Sequence, residues 1–569
     1  MAQAVLAVGL AGVAMTVTPA SADAAFNERL LELINRERTG AGLAPVVASP
    51  QLAGIAESAP YNGCGFPVTG RAADMGARNY FGHEIAGCGK SVSHIMADSG
   101  IAYSGVAENI AWASALSDPL VAAANLHSQL MSSPGHRANL LNPAFNAVGI
   151  GSWRTAPGKT WSGGGFPLSN VFIAVEVFAG MTIAPSSAGD VFHPLTPARI
   201  LDTRDGTGAP AGPLKAGATL SVQVAGRGGV PPLGASAVVL NVTVTGPTDT
   251  SFLTVFPTGE ARPNASNLNY SAGQTVPNLV TAKLGASGQL SIYNAVGSAE
   301  VIADIAGWYD SGLLGLAGAR YHPLTPARVL DTREGAGIAV RLGPNDAKSL
   351  QVTGRGGVPA TGVAAVMMNV TVTGPTQPSF LTVFPTGEAV PLASNLNYVG
   401  GQTVANAVAV KVGASGQVSI YNSSGSTEVI ADISGWFDAN VVNVSGARFR
   451  PVTPARILDT RQGTGAPAAP LGAGARLTVP VAGRGGIPQA GVSAVVMNVT
   501  VTAPTSLSFL TVFPGGEAQP ATSNLNYATG QTVPNLVTVK VGAGGQVAMY
   551  NAAGGAHVIA DVAGWYDAG

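Results

Sequence analysis

His193-Pro194-Leu195-Thr196-Pro197-Ala198-Arg199-Ile200-Leu201-Asp202-Thr203-Arg204 returns 129 residues later as His322 to Arg333, and a further 128 residues on as Arg450 to Arg461. Other landmarks recur in step with it. Gly-Arg-Gly-Gly falls at Arg227, Arg355 and Arg484, and Asn-Val-Thr-Val-Thr starts at Asn241, Asn369 and Asn498. Phe-Leu-Thr-Val-Phe-Pro starts at Phe252, Phe380 and Phe509, and Ser-Asn-Leu-Asn-Tyr at Ser266, Ser394 and Ser523. Each copy closes on Ile-Ala-Asp and Gly-Trp, ending at Trp308, Trp436 and Trp565. Three copies of one pattern predict three modules of one fold.

Each module contains about eight short β-rich runs separated by glycine or proline turns, the signal of an antiparallel sandwich or barrel. A unit of this length can enclose its own core, unlike a solenoid repeat that needs its neighbours. The expected arrangement is beads on a string, with modules at 192–310, 321–438 and 449–567 joined by Ser311 to Ala319 and Ala439 to Ala447. In Val301-Ile302-Ala303-Asp304-Ile305-Ala306-Gly307-Trp308, strand alternation puts Asp304 on the face of Ile302 and Trp308. A carboxylate on an apolar face calls for a cation, and arginine is the best planar match. Structural ion pairs are therefore expected for Asp304, Asp432 and Asp561 with Arg199, Arg204, Arg328, Arg333, Arg456 and Arg461, Arg227 being a further candidate. The Asn241 sequon and its copies lie in strands and are discounted as glycosylation sites.

Upstream of the repeats, Ala184 to Gly189 is a small-residue linker (182–191 in the domain division), and before it the periodicity differs. Phe26 to Arg38 has an apolar face on Phe26, Leu30 and Leu33 or Ile34, which predicts a helix that Gly40-Ala41-Gly42 stops. Leu52 to Ser58 and Arg71 to Arg78 suggest further helices. Asp118 to Met131 predicts another, with Ser117 or Asp118 as cap and Pro119 in its first turn. Ala147 to Trp153 and Asn170 to Phe178 read as strands. The region 25–181 is thus an α+β domain, and the chain as a whole is multidomain and mostly β.

Within it, Ser133-Pro134-Gly135-His136-Arg137-Ala138-Asn139-Leu140-Leu141 presents His136 at a corner past a helix end. Tyr80-Phe81-Gly82-His83 and Glu108-Asn109-Ile110-Ala111 add a second imidazole and a carboxylate, read as lying on separate loops. Together with Asn35-Arg36 and Phe145-Asn146-Ala147-Val148-Gly149-Ile150-Gly151, these segments resemble, in this order, the bacterial branch of the CAP superfamily of cysteine-rich secretory, antigen-five and pathogenesis-related proteins. The resemblance spans roughly residues 26–181 and implies an α-β-α sandwich and an extracellular location. It also implies a cleft of two histidines and two acidic residues. His83 and His136 match the histidines and Glu108 one acid; the second acidic position falls near Ser133, which supplies no carboxylate. Neutral imidazoles and a carboxylate suit zinc, so His83 and His136 are candidate Zn2+ ligands, and with Glu108 candidate catalytic residues. Hydrogen-bonded polar residues in a cleft are the alternative.

Hydrolase signatures are missing from the sequence. Gly87 stands where the second histidine of H-E-x-x-H would follow His83-Glu84, and no G-x-S-x-G elbow occurs. His127 reads as a surface or packing residue. Cys64 and Cys88, the two cysteines of the chain, are expected to form one disulfide if the protein is exported. Ala2 to Met15, followed by two A-x-A sites, reads as the core of a secretory signal peptide ending near residue 24, the alternative being a small core helix. It lacks a basic n-region, as a start internal to a longer leader would.

A net charge of −1 and only 10% charged residues argue against nucleic acid or an anionic membrane surface as partner. No later apolar run is long enough to span a bilayer, so no transmembrane segment is expected in the mature chain. High glycine and proline (75 and 39) beside 46% apolar residues fit turn-rich β structure better than disorder. Three functions follow in order. The first is extracellular or wall-associated binding to cell-wall glycan or another protein, with avidity from three modules. The second is metal-assisted hydrolysis at His83, His136 and Glu108. The third is a purely structural stalk with an inert cap.

Overall fold

A computed structural model describes residues 24–43, 45–181, 189–232, 234–285, 288–310, 318–439 and 446–568. Most of the expected leader, residues 182–188 of the 182–191 linker and most of the two later linkers lie outside these residues. The chain divides into two compact units, a head ending near Ala184 and a body formed by the remainder.

Among the described residues of the head, six helices are interspersed with the strands of a four-stranded sheet and a two-stranded ribbon. The helices are α1 (Ala24–Gly40), α2 (Pro50–Glu57), α3 (Arg71–Ala77), α4 (Val92–Asp98), α5 (Pro119–Ser132) and α6 (Pro134–Leu140). The strands are β1 (Val47–Ala48), a short β2–β3 ribbon (Pro60–Tyr61, Val68–Thr69), β4 (Gly105–Ala113), β5 (Ala147–Arg154) and β6 (Phe172–Gly180), in sheet order β1-β5-β6-β4. Helix starts follow local chemistry. Asp118 caps α5 by accepting from the N–H groups of Leu120 and Val121, and Pro119 takes the position where a missing N–H costs nothing.

Every residue of β6 is buried, because the sheet is covered on both sides. Phe172, Ala174 and Phe178 pack with Phe26, Leu30 and Ile34 of α1 and Leu126 and Leu130 of α5. Ile173, Val175 and Val177 pack with Leu52 and Ile55 of α2, Met75 of α3 and Ile95 of α4. This is the α-β-α sandwich. Helix α2 lies so close to β5 that a Cβ on Gly149 would sit 2.0 Å from the Leu52 carbonyl carbon. Two expectations change here. Glu108 lies on strand β4 rather than a loop, and His136, which does sit just past the end of α5, is in the first turn of a second helix, α6, rather than in an open corner. In β4 the alanine and glycine content hides a strand that the sheet edge nevertheless recruits.

In the body, the first module runs β7 (Val191–Asp202), β8 (Thr219–Gln223), β9 (Ala235–Thr245), β10 (Ser251–Pro257), β11 (Leu268–Tyr270), β12 (Val276–Lys283), β13 (Gln289–Asn294) and β14 (Glu300–Asp310). Its sheets are ordered β12-β9-β14-β7 and β11-β10-β13-β8. First pairs with last, second with seventh, third with sixth and fourth with fifth: a hairpin of eight strands rolled into a jelly roll. The other two modules repeat this order strand for strand.

The modules are not beads on a string. Each β14-type sheet buries one face in its own sandwich and the other against the sheets of the other two modules. In the second copy, Val366, Met368 and Val370 line the sandwich, whereas Ala365 and Met367 join a cluster drawn from all three modules. At its centre, six rings close a cycle in the order Phe192, Tyr309, Phe449, Tyr566, Tyr321 and Phe437, with neighbouring centroids 4.2 to 5.2 Å apart. That spacing is favourable for tilted or offset aromatic pairs. Gly307, Gly435 and Gly564 admit these rings, since a Cβ there would come within 2.3 Å of Phe192, Tyr321 or Phe449.

Polar groups lock the same interface in cyclic order. Asn406 Nδ2 donates to Asn241 Oδ1, Asn535 to Asn369, and Asn278 to Asn498, at 2.8–2.9 Å. The Oδ1 atoms of these donors accept the backbone N–H of Leu279, Ala407 and Leu536 from the preceding copy. Asn241, Asn369 and Asn498, discounted as sequons, therefore serve as buried connectors. A self-sufficient sandwich length does not reveal a second buried sheet face, which is why sequence reasoning separated the modules.

A β-bulge also reverses one expectation. Ala306, Ser434 and Ala563 are extra residues in their strands. Beyond each the inward and outward faces swap. Trp436 and Trp565 accordingly pack on their sandwich cores, while Tyr309, Phe437 and Tyr566 turn to the central cluster. Asp304 and Trp308 do not share a face. Asp304, Asp432 and Asp561 are paired with Arg199, Arg328 and Arg456 at 2.8–2.9 Å. Arg204, Arg333 and Arg461 instead bond to Asp202, Asp331 and Asp459 two residues earlier, where the turn already points guanidinium and carboxylate together. Arg227 donates to the Gly208 carbonyl.

Candidate functional site

The site in the head is built around a buried arginine. Gly70 precedes α3 at φ +65°, and a Cβ there would strike the Glu57 carbonyl, so the turn that starts the helix requires glycine. This turn delivers Arg71 fully buried beneath the edge strand β4. Its Nε donates to Glu108 Oε1 at 2.9 Å, Nη2 to the Gly82 carbonyl at 2.7 Å and, at 3.4 Å, to Glu108 Oε2, and Nη1 to the Tyr80 hydroxyl at 3.0 Å. Burial, the largest single influence, would lower the guanidinium pKa; the charges and hydrogen bonds of Glu108 and Tyr80 together outweigh it, and the net shift is upward. Tyr80 in turn donates to Asp74 Oδ2, and burial together with that carboxylate pushes its phenol up to about 12.

Glu108 also meets His83 Nδ1, 2.9 Å from Oε2. Both carboxylate oxygens are thus engaged, and the carboxylate orients the imidazole, leaving Nε2 as the ring nitrogen available to a ligand. His83 is half exposed, with 54% of its side chain open to solvent. The His136 ring lies with its centroid 6.4 Å from that of His83. Burial, and secondarily repulsion from His83, lowers the His136 pKa.

On the opposite face of β4, Asn109 holds α6 in place. It donates to the His136 carbonyl and to Glu176 Oε2, both at 3.1 Å, and accepts from Asn139 Nδ2 at 2.9 Å. Glu176 is fully buried, its Oε1 has no hydrogen-bond partner among the described residues, and burial raises its pKa to about 7. Sequence reasoning missed Arg71 and Glu176. The visible signal for Glu176 was a single carboxylate inside the uniformly apolar run Val171 to Phe178.

Beside His136 opens a cleft of about 570 Å³, lined by Phe81, Trp112, Gln129 and Ser133 among others. Ser133 lines it, and among the described residues no carboxylate does. A tetrahedral ion held by both imidazoles would set the ring centroids roughly 5 Å apart, closer than the 6.4 Å found. Glu108 is an orienting partner rather than a third donor, and among the described residues no group of three His, Cys, Asp or Glu side chains is placed to hold a metal ion. His127 is buried against α1, 3.9 Å from Glu37, with its pKa lowered by burial. Cys64 and Cys88 form a disulfide on the α3–α4 side of the head. Among the described residues no helix is long and apolar enough to cross a membrane.

Residues 31–164 match the model of the cysteine-rich secretory protein family, CAP. The uncharacterized protein YkwD of Bacillus subtilis (strain 168) is 32% identical over 136 residues, 24% of this chain and 46% of that protein, so the chain spans about half the length of this relative. Among solved structures, an outer surface protein from Borrelia burgdorferi is 13% identical over 29% of this chain and 99% of its own, with a TM-score of 0.21. A cysteine-rich secretory protein from Staphylococcus aureus is 20% identical over 27% of this chain and 38% of its own, with a TM-score of 0.17.

Proposed function

We propose that this CAP-domain protein is an extracellular binding protein that adheres to the cell wall or matrix, the head and the three-module body both acting as recognition units. The observation that carries this reading is the engagement of Glu108. Its side chain is 3% exposed, Oε1 accepts from Arg71, and Oε2 accepts from Arg71 and meets His83, so the carboxylate is turned to shaping the cleft and away from the solvent where an attacking water would lie. What remains facing solvent is a pair of imidazole edges beside an aromatic and amide-lined cleft, groups suited to holding a polar ligand. The disulfide supports an oxidising, extracellular setting.

The test is co-sedimentation of the full chain with purified bacterial wall sacculi, with the supernatant assayed for released sugars and peptides. Retention without release is expected. Release of fragments that depends on added Zn2+ and disappears in His83→Ala/His136→Ala would replace this reading with the metal-assisted hydrolase, and a chain that stays in the supernatant would refute adhesion to walls.

A further inference from the structure

The segments Asn269 to Val276, Asn397 to Val404 and Asn526 to Val533 share the pattern Asn-Tyr-x-x-Gly-Gln-Thr-Val. All three copies line one cavity of about 620 Å³ at the junction of the modules. A single module could not form it.

The chemistry of its wall is uniform. No charged side chain lines it among the described residues. Gln274, Gln402 and Gln531 each accept a backbone N–H through Oε1, from Ser271, Val399 and Ala528 three residues earlier, at 2.8, 3.1 and 2.8 Å. That bond fixes each amide so that its Nε2 is the group left for a ligand. Thr275, Thr403 and Thr532 stand next to them, their hydroxyls shared with Thr245, Thr373 and Thr502. Asn269 and Asn397 accept the Ser266 and Ser394 hydroxyls through Oδ1, whereas Asn526 donates to the Ser523 hydroxyl through Nδ2. Between the amides lie the apolar edges of Val276, Val404 and Val533.

We propose that this vestibule is a binding site for a neutral carbohydrate, one oligosaccharide end per chain. Amide donors of fixed orientation and hydroxyls that both donate and accept match a ligand whose oxygens also do both. The valine edges match the C–H faces of a sugar ring. An ionised ligand would lose its hydration without meeting a counter-charge, and a peptide with charged side chains is disfavoured on the same ground. The inference rests on the adhesion reading above and names a ligand class for it.

The test is calorimetry of the full chain with N-acetylglucosamine tetramer and maltotetraose as neutral probes, and an oligogalacturonate as the charged one. The variant is Gln274→Glu/Gln402→Glu/Gln531→Glu, which keeps the oxygen that caps each turn and replaces each donor by a carboxylate oxygen. The expected result is binding of a neutral probe at one per chain, weakened at least tenfold in the variant, with an unchanged melting temperature. Four results would overturn it: no neutral probe binding up to about 10 mM, three molecules bound per chain, equal binding by the variant, or tighter binding of the oligogalacturonate. Sacculus co-sedimentation of the same two proteins separates the two readings. Wild-type retention without oligosaccharide binding removes the vestibule site and leaves adhesion standing, whereas a wild type that binds the tetramer but not sacculi removes wall adhesion alone.

Discussion

Replacing Asn406 by alanine tests whether the body is one cooperative unit. Asn406 is 1% exposed and makes three bonds, to Asn241 Oδ1 of the first module, to the Asn395 carbonyl of its own, and from the Leu279 N–H of the first. The substitution strands one donor and two acceptors in a buried interface. At roughly 1–3 kcal/mol for each unsatisfied group, discounted for partial rearrangement, the loss is about 4 kcal/mol. Spread over the unfolding entropy of a body this size, that is about 5 °C in melting temperature. The assay is hydrogen exchange with mass spectrometry across a urea series on the full chain. The amide of Leu279, in a different module from the mutation, should exchange as much faster as those of residues 404–411. A loss below about 1 kcal/mol, or faster exchange confined to residues 321–438, would refute the interlocked arrangement.

Three further outcomes concern the head. Arg71→Met leaves the Glu108 carboxylate buried without its cation and should cost about 3–5 kcal/mol in denaturant unfolding of the head, with an unchanged midpoint counting against the assigned role. Glu176 has a native pKa near 7 against 4.5 in the unfolded chain; between these values the native state holds a proton the unfolded state has released, so head stability should fall as pH rises from about 4.5 to 7, by roughly 3 kcal/mol. Glu176→Gln, which keeps an acceptor for Asn109, should flatten that profile and be the more stable protein at pH 8; parallel profiles would contradict this. Cys64→Ser/Cys88→Ser opens a loop with a sequence separation of 24, and should lower head stability by about 3 kcal/mol by the chain-entropy account, read as a lower urea midpoint that reduction of the wild type reproduces.

Much of this was legible in the residues. The repeat and its turns disclose three eight-stranded modules, and α1, α2, α3 and α5 follow from apolar spacing and caps. His83, His136 and Glu108 do come together, although their ring spacing and the engagement of both Glu108 oxygens were not readable. Other features depend on partners distant in sequence. The bulge at Ala306 is invisible to strict alternation, so Trp308 was assigned the wrong face. Arg204 was offered to Asp304, but a turn of two residues gives it to Asp202 first. Asn241 looked like a sequon in a strand because nothing local shows that Asn406, 165 residues away, donates to it. Arg71 sits in an unremarkable helix start and acquires its role only when β4 and the Gly82 segment close over it.

Because the three jelly rolls are covalently joined, their ring escapes a rule that binds an assembly of identical subunits. There, any mutation appears at every equivalent position at once. Here a single position can change alone, and one already has. Thr203 and Thr332 donate to Glu300 and Glu428, whereas the third copy places His557 against Thr460. A tandem gene can thus give one seat of a triangular platform its own chemistry while the other two preserve the geometry, which opens to such a chain an evolutionary route closed to a trimer of identical chains.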